Sequence, residues 1–244
     1  MAAARGLGPV LRYNVVVSDL CPCARPKALC VCPEGPPLAN ATAVLVLQHP
    51  QEQDKLLGTA GIVARRLARA RVAVGLSWRG LAQAWGDAVE PATWGVLYLG
   101  SVRAPAGAGP LVALSRGGTP LADQGGAREG LQGLVALDGS WSQAKALWWR
   151  NPWLSRLRRF ALVPAAPSLY GELRREARDD AVSTLEAVAM ALVELERDPA
   201  LGEGLMAPFR DLLARARAQG LRHGAGPGPN RRPNVRRRDR RSRL

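Results

Sequence analysis

The sequence predicts an α/β fold: a mostly parallel sheet with flanking helices. Three observations carry that prediction. Short apolar runs of strand length recur along the chain, helix-patterned segments lie between them, and Gly, Pro and Asp-Gly pairs punctuate the joins. With 244 residues and 47% hydrophobic content, the chain can bury one substantial core.

Taken in order, residues 1–13 read as a loose leader. Residues 14–38 hold all four cysteines among prolines and charged residues, and read as a small module. Regular patterning begins at Ala41. Residues 42–47 form a buried strand stopped by Gln48-His49-Pro50. Residues 61–71 place Ile62, Leu67 and Ala68 or Ala70 on one face with Arg65, Arg66 and Arg69 outward, the periodicity of an amphipathic helix. Residues 72–76 are a second strand and 78–94 a helix ending near Pro91. Residues 94–100 are a third strand, running into a Gly-Ser turn. Gly-rich loops over 103–110 and 116–130 precede a fourth strand, 132–137. A helix follows from Ser142 to about Arg150, then a fifth strand over 160–163 and helices over 182–197 and 204–219. Residues 39–221 therefore read as one α/β domain without internal repeats.

Charge is unevenly distributed. The net charge is +14, and residues 222–244 carry nine Arg and one Asp, so +8 lies in the last 23 residues and +6 in the rest. With almost nothing apolar, that tail is expected to be a disordered basic arm for nucleic-acid phosphate, or else a solubilising tail. No run approaches the roughly 18 apolar residues of a membrane span. Met-Ala-Ala-Ala-Arg-Gly leads into no apolar signal region, so a cytoplasmic protein is expected.

Cys21-Pro-Cys23 and Cys30-Val-Cys32 bring four thiols within twelve residues. Disulfides are disfavoured in a cytosolic protein. Four thiolates suit a closed tetrahedral zinc site, with an iron–sulfur cluster or no metal as alternatives, and the C-x-C spacing is tighter than a usual knuckle. Arg25 and Lys27 would give this loop a basic face. The chain has no G-x-G-x-x-G after its first strand, no G-x-x-x-x-G-K-[ST] and no G-x-S-x-G, which argues against dinucleotide, P-loop and serine-hydrolase sites. His49 is the one imidazole outside the tail.

Leu137-Asp138-Gly139-Ser140-Trp141 sets a polar trio at a strand end, where open α/β sheets bind ligands. Ser183-Thr184-Leu185-Glu186 has capping-box spacing, and its helix N-terminus also suits a ligand carboxylate. Trp141, Trp148, Trp149 and Trp153 cluster with Arg150, Arg156, Arg158 and Arg159. This is either core packing, expected for Trp148, or a platform for unstacked bases.

Together these pieces resemble the DTW-domain family over about residues 14–215. The resemblance rests on five motifs in family order: Cys21 to Cys32, Gln48-His49-Pro50-Gln51-Glu52, Leu137 to Ala144, Pro167-Ser168-Leu169-Tyr170, and Ser183 to Ala187. Ser140 departs from the family's Asp-x-Thr-Trp but keeps the hydroxyl. The resemblance implies a SPOUT-like fold with a trefoil knot, on which periodicity is silent. It also implies transfer of the 3-amino-3-carboxypropyl group of S-adenosylmethionine to N3 of a tRNA uridine, releasing methylthioadenosine.

On this reading Asp138 and Trp141 are the catalytic candidates. Asp138 either takes the N3 proton or binds the amino group of the transferred arm. Leu137, Gly139 and Ser140 shape the cofactor pocket, with Leu99, Gly100 and Ser101 as a second loop and Ser183, Thr184 and Glu186 completing it. Gln48, His49 and Glu52 also line the pocket, and the cysteines and Arg-rich surfaces hold tRNA. Two alternatives stand beside this: a SPOUT-like RNA methyltransferase and a non-catalytic zinc-dependent RNA-binding module. Oligomeric state is left open.

Overall fold

The computed structural model describes residues 20–98, 102–107, 109–174 and 181–221. The leader, residues 14–19 of the Cys-rich segment, the Leu99-Gly100-Ser101 loop and the basic tail lie outside the described residues. Six strands, β1 (Ala43–Gln48), β2 (Ala70–Val74), β3 (Trp94–Leu97), β4 (Leu111–Leu114), β5 (Gly133–Asp138) and β6 (Arg158–Leu162), form one sheet in the order β2-β1-β5-β3-β6-β4. All neighbours are parallel except β4 and β6.

The central strands are apolar on both faces because helices cover both. Val44, Val46, Leu134 and Ala136 point into one core, while Leu45, Leu47 and Val135 point into the other, as the two-residue period of a strand requires. Against the first face pack α1 (Ala60–Arg66), α4 (Thr184–Glu196) and α5 (Pro199–Ala218). Against the second pack α2 (Leu81–Trp85) and the 3-10 turn Pro152–Arg156, while α3 (Trp141–Arg150) adds its half-buried Trp148. Within α5, Pro208 has no N–H for the carbonyl of Gly204 four residues back, and Arg66 Nε takes that carbonyl at 3.1 Å.

Four elements differ from the sequence reading. The last helix begins at Pro199 rather than 204, capped by Asp198, whose Oδ1 receives Ala200 and Leu201 N–H. The first helix stops at Arg66 rather than 71, because the chain beyond it is drawn into extended pairing with Leu38: Ala68 N–H donates to Leu38 O at 2.9 Å. The second helix shrinks to Leu81–Trp85, ended by Gly86 at φ 91°, a left-handed position that glycine adopts without strain. Leu111–Leu114, unassigned between two loops, is a strand on the sheet edge. Gln124 covers its outer side, with Ala113 N–H donating to Oε1 at 2.7 Å and Nε2 donating to Ala113 O at 3.1 Å.

Candidate active site and metal centre

Parallel strands end on one edge, so Gln48 closes β1 and Asp138 closes β5 at paired register positions. Asp138 is only 8% exposed, and both its carboxylate oxygens are engaged. Gln48 Nε2 donates to Oδ2 at 2.8 Å, and Thr184 Oγ1 donates to Oδ1 at 2.5 Å. Three separate motifs therefore meet at one carboxylate. An ionised carboxylate accepts about four hydrogen bonds, so capacity remains for a ligand donor.

The flanking helices are fastened at their starts. Ser140 caps α3, receiving Gln143 N–H, while Gln143 Oε1 accepts the Ser140 N–H at 2.6 Å. This second capping box was legible as Ser140-x-x-Gln143, although the hydroxyl was expected in the cofactor pocket. Gly139 is required by closeness, since a Cβ there would stand 2.8 Å from that of Gln143. Trp141 is half-buried with Lys145 Nζ 5.3 Å over its ring.

At α4, Ser183 and Glu186 form the expected capping box. Buried Glu186 does more than that. Its oxygens accept from Ser183 N–H, the Ser168 hydroxyl and Leu169 N–H, each at 2.7 Å, tying the Pro167–Tyr170 segment to the helix start. Three of its roughly four acceptor sites are taken by the protein's own backbone and a hydroxyl. Thr59, missed in sequence because it carries no motif, is buried and its Oγ1 receives Leu185 N–H at 3.3 Å.

His49 Nδ1 accepts from Gln51 N–H at 3.2 Å, so the ring caps the following 3-10 turn, Pro50–Glu52. Glu52 is buried, with Oε2 4.0 Å from Arg174. With Gln48 it lines a cleft of about 390 Å³ that Cys23, Arg25 and Val74 also border.

The four sulfurs of Cys21, Cys23, Cys30 and Cys32 all lie within 4.8 Å of one another. A tetrahedral zinc with bonds of about 2.3 Å sets sulfurs roughly 3.8 Å apart. Here Cys21 and Cys32 are 3.7 Å apart, Cys23 and Cys30 3.9 Å, and Cys21 and Cys30 3.2 Å, so the donor set fits. The Cys23 backbone amide and the Cys30 thiol lower the Cys21 thiol to about 7, while burial pushes Cys32 up to about 12 and Cys30 in the same direction.

Arg25 does not form the expected basic face. It turns inward, donating from Nε to Leu56 O at 3.2 Å and from Nη2 to Gly58 O. Burial lowers its pKa. The neighbouring carbonyl, Leu57 O, accepts from the Tyr170 hydroxyl at 2.7 Å. Leu29 and Val31 sit in the main core, so the Cys-rich segment shares the hydrophobic core of the α/β body.

The sequence pattern of the DTW domain matches residues 18–217. The chain is 31% identical over 197 residues to a tRNA-uridine aminocarboxypropyltransferase 2 of Drosophila melanogaster, covering 78% of this chain and 71% of the relative. Proteins of the same name from Macaca fascicularis and Mus musculus are each 27% identical over 216 residues, covering 83% of this chain and 63% of theirs. No solved structure matches. No helix among the described residues is long and apolar enough to cross a membrane.

Proposed function

The chain belongs to the DTW domain family, and from that premise we propose that it transfers a 3-amino-3-carboxypropyl group to a uridine of tRNA. The observation that carries this reading is the convergence of Gln48, Asp138 and Thr184 at the carboxyl edge of the sheet. We further assign S-adenosylmethionine as the donor, N3 as the acceptor, zinc to the four cysteines and a cytoplasmic location, in a SPOUT-like fold.

When bound, S-adenosylmethionine supplies an activated carbon on its sulfonium, with methylthioadenosine as the leaving group. A sulfonium offers three carbons, so the protein selects the product by the one it presents, and positioning provides much of the catalysis. Asp138, held on both oxygens, accepts the N3 proton of the uridine. Trp141 and Gly139 wall the same crevice and Leu137 supports it from β5, while the loop that follows β3 in sequence, Leu99-Gly100-Ser101, is assigned to the donor on the family resemblance. The first turns of α3 and α4, at Ser140 and Ser183, flank Asp138 and turn the positive ends of two helix dipoles toward the carboxylate of the arm. Gln48 at the end of β1, with His49 and Glu52 at the 3-10 turn that follows it, completes the wall.

The test is mass spectrometry of unmodified tRNA incubated with the protein and S-adenosylmethionine. A nucleoside gain of one aminocarboxypropyl group with methylthioadenosine is expected, and Asp138→Asn should lose it roughly 10²–10⁴-fold while retaining donor binding by calorimetry. Lost donor binding would reassign Asp138 to the amino group of the arm. A methyl-sized gain, or no product, would overturn the reading.

A further inference from the structure

Between Asp138 and Glu172 the chain has five basic residues, Lys145, Arg150, Arg156, Arg158 and Arg159, and no acidic one. Two of them are occupied internally. Arg158 donates to Glu129 O at 2.5 Å, and Arg159 lies over both Tyr98 and Trp148. Lys145 and Arg150, the only charges on α3, form no ion pair among the described residues.

The tryptophans divide likewise. Trp148 packs edge-on against Tyr98 at 5.3 Å, and Trp153 donates its indole N–H to Trp78 O at 3.1 Å. Trp149 is 77% exposed, the most exposed large apolar side chain among the described residues. Its indole makes no hydrogen bond or ring contact there. Trp141, Lys145 and Trp149 recur at i, i+4 and i+8, so they climb one side of α3, with Trp149 about 12 Å along the axis from Trp141. That separation equals three to four stacked nucleotides at about 3.4 Å each.

We propose that Trp149 stacks an unpaired base of the RNA that carries the target uridine, with Lys145 neutralising a phosphate between that base and the Asp138 crevice. The inference rests on the tRNA reading above. Charge complementarity selects the occupant: an indole set among uncompensated cations suits a phosphodiester strand. A protein partner would be expected to bury a larger apolar surface. Because any base has a face to stack, Trp149 selects for unpaired geometry in the strand beside the target uridine rather than for sequence.

The test measures equilibrium binding of unmodified tRNA and of oligo-uridine to the full chain without donor, for wild type, Trp149→Ala, Trp149→Phe and Trp149→Leu. The exposed position leaves folding intact. Trp149→Ala should bind roughly five- to hundredfold more weakly, Trp149→Phe should recover most of the loss, and Trp149→Leu should not. In turnover the loss should appear in KM for tRNA rather than kcat, and Lys145→Ala should reduce the salt slope by about one. Binding by Trp149→Ala within twofold of wild type, or equal rescue by Leu and Phe, overturns the inference. So does a loss of self-association with RNA affinity unchanged. Trp149-dependent binding with a methylated product would sink the proposed reaction and leave this inference standing.

Discussion

The Thr184 hydroxyl donates to the Asp138 carboxylate across 2.5 Å and 46 residues of chain. The start of α4 and the end of β5 are thereby set against each other at one oxygen, while Gln48 holds the second. A carboxylate anchored in this way has one orientation to offer a substrate, which is what a positioned proton acceptor needs.

Thr184→Val keeps the shape and removes the donor. Hydrogen bonds to charged groups contribute about 1.5–3 kcal/mol, so kcat should fall roughly ten- to hundredfold. Thr184→Ser should restore it, and donor affinity should change little. Equal losses in the Ser and Val variants would point to packing instead.

Glu186 predicts a stability effect. Removing its carboxylate leaves three donors, Ser183 N–H, Leu169 N–H and the Ser168 hydroxyl, without their acceptor. Glu186→Ala should lower unfolding free energy by about 3 kcal/mol in urea titration at unchanged m-value. A loss below about 1 kcal/mol would show that water replaces the acceptor easily.

Metal content is the third expectation. Elemental analysis should find one zinc per chain, lost in Cys30→Ser, with a lower Tm in the variant and in chelator-treated protein. Protons compete for the sulfurs, so lowering the pH should release the metal. An unchanged Tm after complete removal would show that Leu29 and Val31 hold the segment without it.

Deleting residues 222–244 removes +8 of the +14 net charge. Binding of tRNA should weaken and its dependence on salt should flatten, while saturated turnover barely changes. A salt slope equal to that of the full chain would exclude the tail from phosphate contact.

Much of this was legible in sequence where the signal is local. Apolar runs of strand length, the Ser183–Glu186 cap and the thiol spacing all depend on near neighbours, and all appear as read. What escaped depends on distant partners. The helix expected over 61–71 loses its last turn to pairing with Leu38, and Leu111–Leu114 becomes a strand because β6 offers it an edge. Arg25 looked like a surface cation beside Lys27, yet it is buried against carbonyls some thirty residues away. Thr59 lacks any motif, and its value comes from the Leu185 N–H that reaches it.

The segment from Leu56 to Thr59 looks by composition like a loop in which length could drift. Three successive carbonyls are claimed by Arg25, Tyr170 and Arg25 again, and the next side chain receives an N–H of α4. Ordinary surface loops tolerate insertions because their backbone groups answer only to water. Here one added residue would shift every bond out of phase at once, loosening the cysteine segment, the Tyr170 segment and the helix that carries Thr184. The spacing between Glu52 and Ala60 is thus as constrained as any residue identity in the site, and it is where grafting or length variation would be least forgiving.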